Sequence, residues 1–471
     1  MVAKFGSTPG NEADDVAVVM VPLPAQGHLN QLLHLSRLIS AQGIPVHYVG
    51  SSAYIHQATT RVHGWDPLKA TSLHFHELPT PPAEFQSPPA PVPDTTTKFP
   101  SQLMPAFLAT EHLRRPLTDL VGEMAISKRK VVVIADSFMG WVVQDLPSVV
   151  PKAEVYRFRC LSAFCSGSYI WEAAGKPEIG PGSEILNFLP SREGTVSPEF
   201  DEFVKVQSGC WVLSSGDILN SSREIEAPFI DFLATVSNRS QFAIGPFNPI
   251  SLSSSIDGKN RHRCLKWLDG QEKDSVLFVS FGTTTSLSGD QITELAIGLE
   301  QSMQKFIWVL RDGDGREAIN GGNVVRPELP EGYEERTRER GLVVRDWAPQ
   351  LEILGHASTG GFLSHCGWNS CMESISMGVP VAAWPVHSDQ PRNAALLTRG
   401  LGIGISLMDW ERRGEVVGRE EVAEGVKKLM ASKDGEEMRR NAVKVSESVK
   451  KSVTSGGGRD EFQALIAQIT R

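Results

Sequence analysis

The run Trp347–Gln390, WAPQLEILGHASTGGFLSHCGWNSCMESISMGVPVAAWPVHSDQ, decides how the chain is read. It gathers three tryptophans, three histidines and a cluster of glycines into one strand–loop–helix pattern. A segment that only filled a core would have no use for so many polar groups of fixed shape. His365-Cys-Gly-Trp-Asn-Ser370 falls between a short apolar strand, 361–363, and a helix whose apolar period begins near Met372. Backbone N–H groups at such a helix start point at an anion, and the helix dipole favours negative charge there. His365, Asn369 and Ser370 add side-chain donors at the same point, a set suited to a diphosphate without a bound metal. Glu373, one turn on, is placed to accept hydrogen bonds from ribose hydroxyls, and Trp347 offers a flat face to a base. Asp389 and Gln390 follow a strand over 379–383 and fall on the same rim, where they can hold sugar hydroxyls.

Outward from this box the chain reads as two successive α/β halves. Val16–Val21 is a short β-branched run, the pattern of a buried parallel strand. Pro22-Leu-Pro-Ala-Gln-Gly27 breaks it, His28 opens a helical pattern, and a second strand follows over 46–49. Ligands of such β–loop–α–β units sit at the carboxyl ends of the strands, which is where His28 falls. A strand over 131–135 ends at Asp136, which belongs on the same rim. Either residue has a plainer reading as a helix cap. Further strands are expected over 154–159 and 210–213, while 170–200 gives no clear pattern. The proline-rich stretch 79–105 reads as a long surface loop walling a pocket.

The segment 245–258 is all turn-formers and small polar residues, and after it the pattern restarts. Strands over 276–281, 306–310, 342–345, 361–363 and 379–383 alternate with helices, one of them Gly289–Ser302. An amphipathic helix carrying Met438, Ala442, Val445 and Val449 precedes Gly456-Gly-Gly, and a last helix follows over 461–470. The expected division is 1–248, a linker 249–260, a second half 261–455 and a terminal helix 456–471.

Composition narrows the function. At 471 residues the chain exceeds one ordinary core. A net charge of −9 argues against a nucleic-acid partner. No run approaches the ~18 apolar residues of a membrane span, and the start lacks the pattern of a signal peptide. Six scattered cysteines read as reduced thiols, so a cytoplasmic location and a monomer are expected. Asn220-Ser-Ser and Asn238-Arg-Ser match the glycosylation triplet by chance on this reading.

The 44-residue box resembles the signature box of plant family-1 UDP-dependent glycosyltransferases. PLPAQGHLNQLLHLSRLI, FAIGPFNP, VSFGTTTS and IGLEQSMQKFIWVLRD are similar to the zeatin O-glucosyltransferase branch. The resemblance implies two Rossmann-like domains facing across a cleft (GT-B type), with the C-terminal helix crossing back to the N-terminal domain. It implies UDP-glucose as donor, with UDP-xylose left open, no metal, and a small-molecule acceptor, a zeatin-type cytokinin or else a phenolic, flavonoid or terpenoid alcohol. It implies that Trp347 and the Ala348 backbone hold uracil, and that Gln350 and Glu373 hold ribose. His365, Asn369, Ser370 and Thr283 would hold the diphosphate, and Trp368, Asp389 and Gln390 would surround the sugar. His28 matches the acceptor-activating histidine and Asp136 its acid partner. Many members carry proline three residues after that histidine; Gln31 stands here, so a different acceptor-side surface is expected.

Other classes fit less well. Gly400-Leu-Gly-Ile-Gly404 lacks the third glycine and the strand–helix context of a dinucleotide motif. Asp312-Gly-Asp314 reads as a solvated turn rather than a metal site. His365, Cys366 and Cys371 lack four-ligand zinc spacing. A non-catalytic nucleotide-sugar or hormone binder would keep the fold, but would not need His28, Asp136 and the whole box together.

Overall fold

The computed structural model describes residues 15–62, 64–79, 100–252, 261–283, 285, 287–310 and 328–471. Asp312-Gly-Asp314, most of the proline-rich stretch and most of the linker lie outside the described residues.

Each half builds one parallel sheet. In the first half the strands are β1 (Val16–Val21), β2 (Val46–Gly50), β3 (Leu73–Glu77), β4 (Lys130–Asp136), β5 (Ala153–Arg159), β6 (Gly216–Leu219) and β7 (Gln241–Ala243). They lie in the order β3-β2-β1-β4-β5-β6-β7. In the second half they are β8 (Val276–Ser280), β9 (Lys305–Val309), β10 (Gly341–Val344), β11 (Thr359–Ser364), β12 (Val381–Ala383) and β13 (Gly404–Ser406). Their order is β10-β9-β8-β11-β12-β13. Every residue of β1, β8 and β11 is buried, because helices cover both faces. The fold is α/β in two parallel-sheet halves.

The strand order reverses between β1 and β4, and again between β8 and β11. At such switch points the crossovers leave in opposite directions and open a crevice beyond the carboxyl ends. Val21 lies beside Ala135, and Ser280 beside Ser364, so both crevices are flanked by paired strand ends.

The terminal helix Gly457–Thr470 does cross back. Leu465 and Ile469 enter the first half's core with Val18 and Val46. Glu461 accepts the Ala243 N–H at 2.6 Å, and Lys130 donates to the Gln468 carbonyl at 3.0 Å. The break before it is narrower than the sequence suggests. Only Gly456 is non-helical, at φ −121 and ψ −160.

The expected strand at 210–213 is a correction. Those residues follow the helix Pro198–Gly209, and the strand is Gly216–Leu219. Trp211 is buried, but Val212 and Leu213 are 76% and 46% exposed. The true strand was hidden by Asp217, a fully buried carboxylate bound by Arg157 and Arg159. Gly400–Gly404 leads into β13 instead of out of a strand, opposite to a dinucleotide loop.

Candidate active site

The first crevice carries a histidine–carboxylate pair. His28 stands in the first turn of the helix Gln26–Ser40, just past β1, and Asp136 closes β4. Their side chains meet at 2.7 Å, Nδ1 to Oδ2. The other oxygen of Asp136 accepts the Phe138 N–H at 2.9 Å, which fixes the carboxylate, and Asp136 is fully buried. Burial works against a charged imidazole at His28, but Asp136 and Cys160 outweigh it and hold the ring well above its ordinary pKa. The helix-cap reading of Asp136 does not hold: the next helix, Gly140–Val143, starts after Met139 without a side-chain cap, and Asp136 gives one oxygen to the turn at Phe138 and the other to the imidazole.

Cys160, which sequence reasoning missed, completes this corner. It is the first residue past β5, and its sulfur lies within 4.8 Å of the pairing atoms of His28 and Asp136. The signal was available: β5 adjoins β4, so the residue after β5 arrives beside Asp136. Phe138 was missed as well. Its ring sits 5.8 Å from that of His28 and continues to Phe200 at 5.6 Å, an aromatic wall beside the imidazole. Gln31 does not alter the acceptor-side surface by exposure. It is buried, donating to the Cys160 carbonyl at 3.0 Å and accepting from Asn220 at 3.2 Å. The same contacts leave Asn220 4% exposed, a poor glycan acceptor.

The second crevice gathers most of the box. His365 follows β11, and its ring is held between two glycines. A Cβ added at Gly282 or at Gly367 would lie 2.5 Å from Nε2. Gly282 also has φ +74, a left-handed conformation that suits glycine. Gly367 is the N-cap of the ten-residue helix Trp368–Met377, so His365 lies beside a helix start. Thr283, half-buried, follows Gly282. Gln350 donates to Ser370 at 2.9 Å and to Glu373 at 2.6 Å, which joins the diphosphate and ribose groups of the expected site. Burial, opposed by the Gln350 amide and reinforced by Glu352, lifts Glu373 to about 7. Ala348 is buried, and Trp347 is half-buried with the Arg61 guanidinium 5.4 Å from its ring.

The sugar group behaves less simply. Asp389 accepts from Asn393 at 2.7 Å; burial raises its pKa, with His28 among the groups that oppose the rise. Gln390 is folded onto its own loop, accepting the Val386 and His387 N–H groups at 2.8 and 3.0 Å. Trp368 is 3% exposed, and its indole N–H donates to the Asn220 carbonyl at 2.9 Å. Asn369 donates to the Gly27 carbonyl at 2.7 Å, one residue from His28. The two crevices are thus tied together at their rims. Cys366 and Cys371 are buried, and all six cysteines are free thiols.

Comparison with known proteins agrees with this architecture. Residues 14–249 match the family described as "Glycosyltransferase, N-terminal domain", and residues 259–448 match "UDP-glucoronosyl and UDP-glucosyl transferase". The chain is 47% identical to the zeatin O-glucosyltransferase of Phaseolus lunatus, over 97% of both chains. It is 45% identical to the zeatin O-xylosyltransferase of Phaseolus vulgaris, over 98% of this chain and 99% of the relative. Phytolacca americana UGT2, solved with UDP-2fluoro-glucose and pterostilbene, superposes with a TM-score of 0.76 at 26% identity, covering 97% of this chain and 100% of that one. The chain belongs to the UDP-glycosyltransferases, in the plant family-1 group with a GT-B fold. It is an enzyme that takes a UDP-sugar as donor and glycosylates plant metabolites. No helix among the described residues is long and apolar enough to cross a membrane.

Proposed function

We propose that the protein transfers glucose from UDP-glucose, with inversion, to a hydroxyl of a zeatin-type cytokinin, with His28 as general base. The observation that carries this reading is the 2.7 Å His28–Asp136 pair at the first switch point, with the box held across the crevice from it. A hydroxyl is a poor nucleophile at its free pKa and needs an adjacent base. His28 takes the acceptor proton as the acceptor oxygen bonds to the anomeric carbon. The bond from that carbon to the diphosphate breaks, and its electron pair leaves with UDP. Asp136 fixes the imidazole tautomer and stabilises the imidazolium, as the acid does in hydrolase triads. His365, Thr283, Asn369, Ser370 and the helix start stabilise charge on the leaving diphosphate. Trp347 and Ala348 hold uracil, Gln350 and Glu373 ribose, and Asp389 and Gln390 sugar hydroxyls. The aromatic wall of Phe138 and Phe200 suits a flat apolar acceptor. No metal takes part in this scheme, so EDTA leaves the rate unchanged. We also place the enzyme in the cytosol as a monomer, with 1–248 as the acceptor half and 261–455 as the donor half.

A second donor, UDP-xylose, is favoured by two observations. The 45% identical relative is a zeatin O-xylosyltransferase, and Gln390 is bound within its own loop. The test is a panel of zeatins, flavonoids and terpenoid alcohols with each donor, read by product mass and by the configuration of the new glycoside. A β-glucoside of zeatin is expected. Robust transfer to another acceptor class without a zeatin product would remove the acceptor assignment and leave the transferase.

A further inference from the structure

Three of the chain's 12 histidines meet far from the mechanism, on β2 and β3. His47 and His74 are register partners on these parallel strands, and β3 is the edge of its sheet. Side chains two apart on a strand share a face, so His76 joins His74. Leu73 and Phe75 alternate with them and pack into the core. The His47 ring lies 5.1 Å from that of His74 and 4.9 Å from that of His76. His47 Nδ1 and His76 Nε2 are 2.7 Å apart. His74 is exposed and the other two are half-buried.

We propose that His47, His74 and His76 form a binding site for a borderline divalent cation such as Zn²⁺, with water completing its coordination. Imidazole suits zinc, copper and nickel. A tetrahedral ion with Zn–N bonds of about 2.0–2.1 Å sets its ligand nitrogens roughly 3.4 Å apart. The His47–His76 pair therefore opens by less than about 1 Å to admit the ion, and the exposed His74 side chain turns to bring in the third nitrogen. The two rings of the present pair share one hydrogen. On binding, that hydrogen moves to the far nitrogen of its own ring, so each ring presents a lone pair without net proton release. Lys128 lies near His47. Lys128 works against a bound cation, but His47 has two further nitrogen ligands beside it. A simple polar pair would need His47 and His76 alone; the register adds a third imidazole beside them, whose nitrogen joins the other two once the His74 side chain turns.

The test is calorimetric titration of tag-free, chelator-stripped full-length protein with ZnCl₂. Wild type takes up one Zn²⁺ that His74→Ala and His47→Ala each weaken at least tenfold, while His112→Ala, on a separate exposed segment, leaves it unchanged. Zinc raises the melting temperature of wild type and not of His47→Ala. Melting without zinc confirms that the variants fold. Equal titrations for wild type and His74→Ala, or no zinc uptake by wild type, overturn the site. Neither readout involves sugar transfer, so the outcome is independent of the proposed reaction.

Discussion

The two halves share a topology and differ in what they place at its opening. In the first half, the ends of β1 and β4 present His28 and Asp136, a titratable pair. In the second, the ends of β8 and β11 present Gly282 and His365 beside a helix start. One crevice can move a proton; the other can hold an anion. Glycosyl transfer needs both at once, one at the attacking oxygen and one at the departing phosphate. The fold meets that need by repeating one sheet and changing the residues after four strands.

If this division is right, damage to the first crevice should fall on turnover. His28→Ala is expected to lower kcat by ~10²–10⁴-fold, the usual worth of a general base. The KM for UDP-glucose should barely move, because the donor contacts lie across the cleft. Retention of more than about a tenth of wild-type turnover would end the base assignment. Asp136→Asn comes next. It keeps the shape but loses the charge that stabilises the imidazolium, and about 10²-fold in kcat is expected. The raised His28 pKa should fall with it. In wild type the rate climbs as pH rises through that raised value, since only the unprotonated ring accepts a proton. In Asp136→Asn the climb should begin at lower pH.

Damage to the second crevice should fall on the donor. Gly282→Ala puts a methyl group 2.5 Å from the His365 ring and strains a backbone at φ +74. Weaker UDP binding by about tenfold or more is expected, read by calorimetry, with each tenfold equal to about 1.4 kcal/mol. Glu373 gives a finer test. In the proposed role ribose hydroxyls bind its carboxylate form, and in the free protein it is lifted to about 7. Below that value a proton must leave before the ribose is held. Donor affinity should therefore weaken by up to about tenfold per pH unit as pH falls below about 7, and level off above it. Glu373→Gln should flatten this dependence. A wild-type affinity constant from pH 8 to pH 6 would remove Glu373 from the ribose contact.

The fold was legible where strands are buried on both faces. The apolar runs of β1, β4, β8 and β9 appear as such, and Gly289–Ser302 is the predicted helix. β3 escaped because an edge strand reading Leu-His-Phe-His-Glu has no buried run. β6 escaped because its buried charge is neutralised by arginines from the neighbouring strand. β7 and β13 are three residues each, too short for a period to show. The site was legible in the same uneven way. His28, Asp136 and the box could be placed because each follows a recognisable strand. Cys160 and Phe138 were passed over: Cys160 shows only once β5 is set beside β4, and Phe138 only once the turn after β4 brings its ring to His28. The contacts across the cleft were invisible: Asn369 and Gly27 are 342 positions apart.

The smallest effect is expected where a sequence assignment and a hydrogen bond point different ways. Trp368 was assigned to the sugar, yet its indole N–H is bound to the Asn220 carbonyl in the other half. Trp368→Phe keeps an apolar ring in the shared core but leaves that carbonyl without its donor. Losing a partner of this kind costs about 1–3 kcal/mol, so the melting temperature should fall. The ratio of kcat/KM for UDP-glucose to that for UDP-xylose should stay within about twofold of wild type, under 0.5 kcal/mol. A large change in that ratio with no loss of stability would return Trp368 to the sugar. Because the indole and Asn369 both reach across the cleft within one helical turn, a stability loss without a selectivity change would assign this turn two jobs: holding the diphosphate and clasping the halves together.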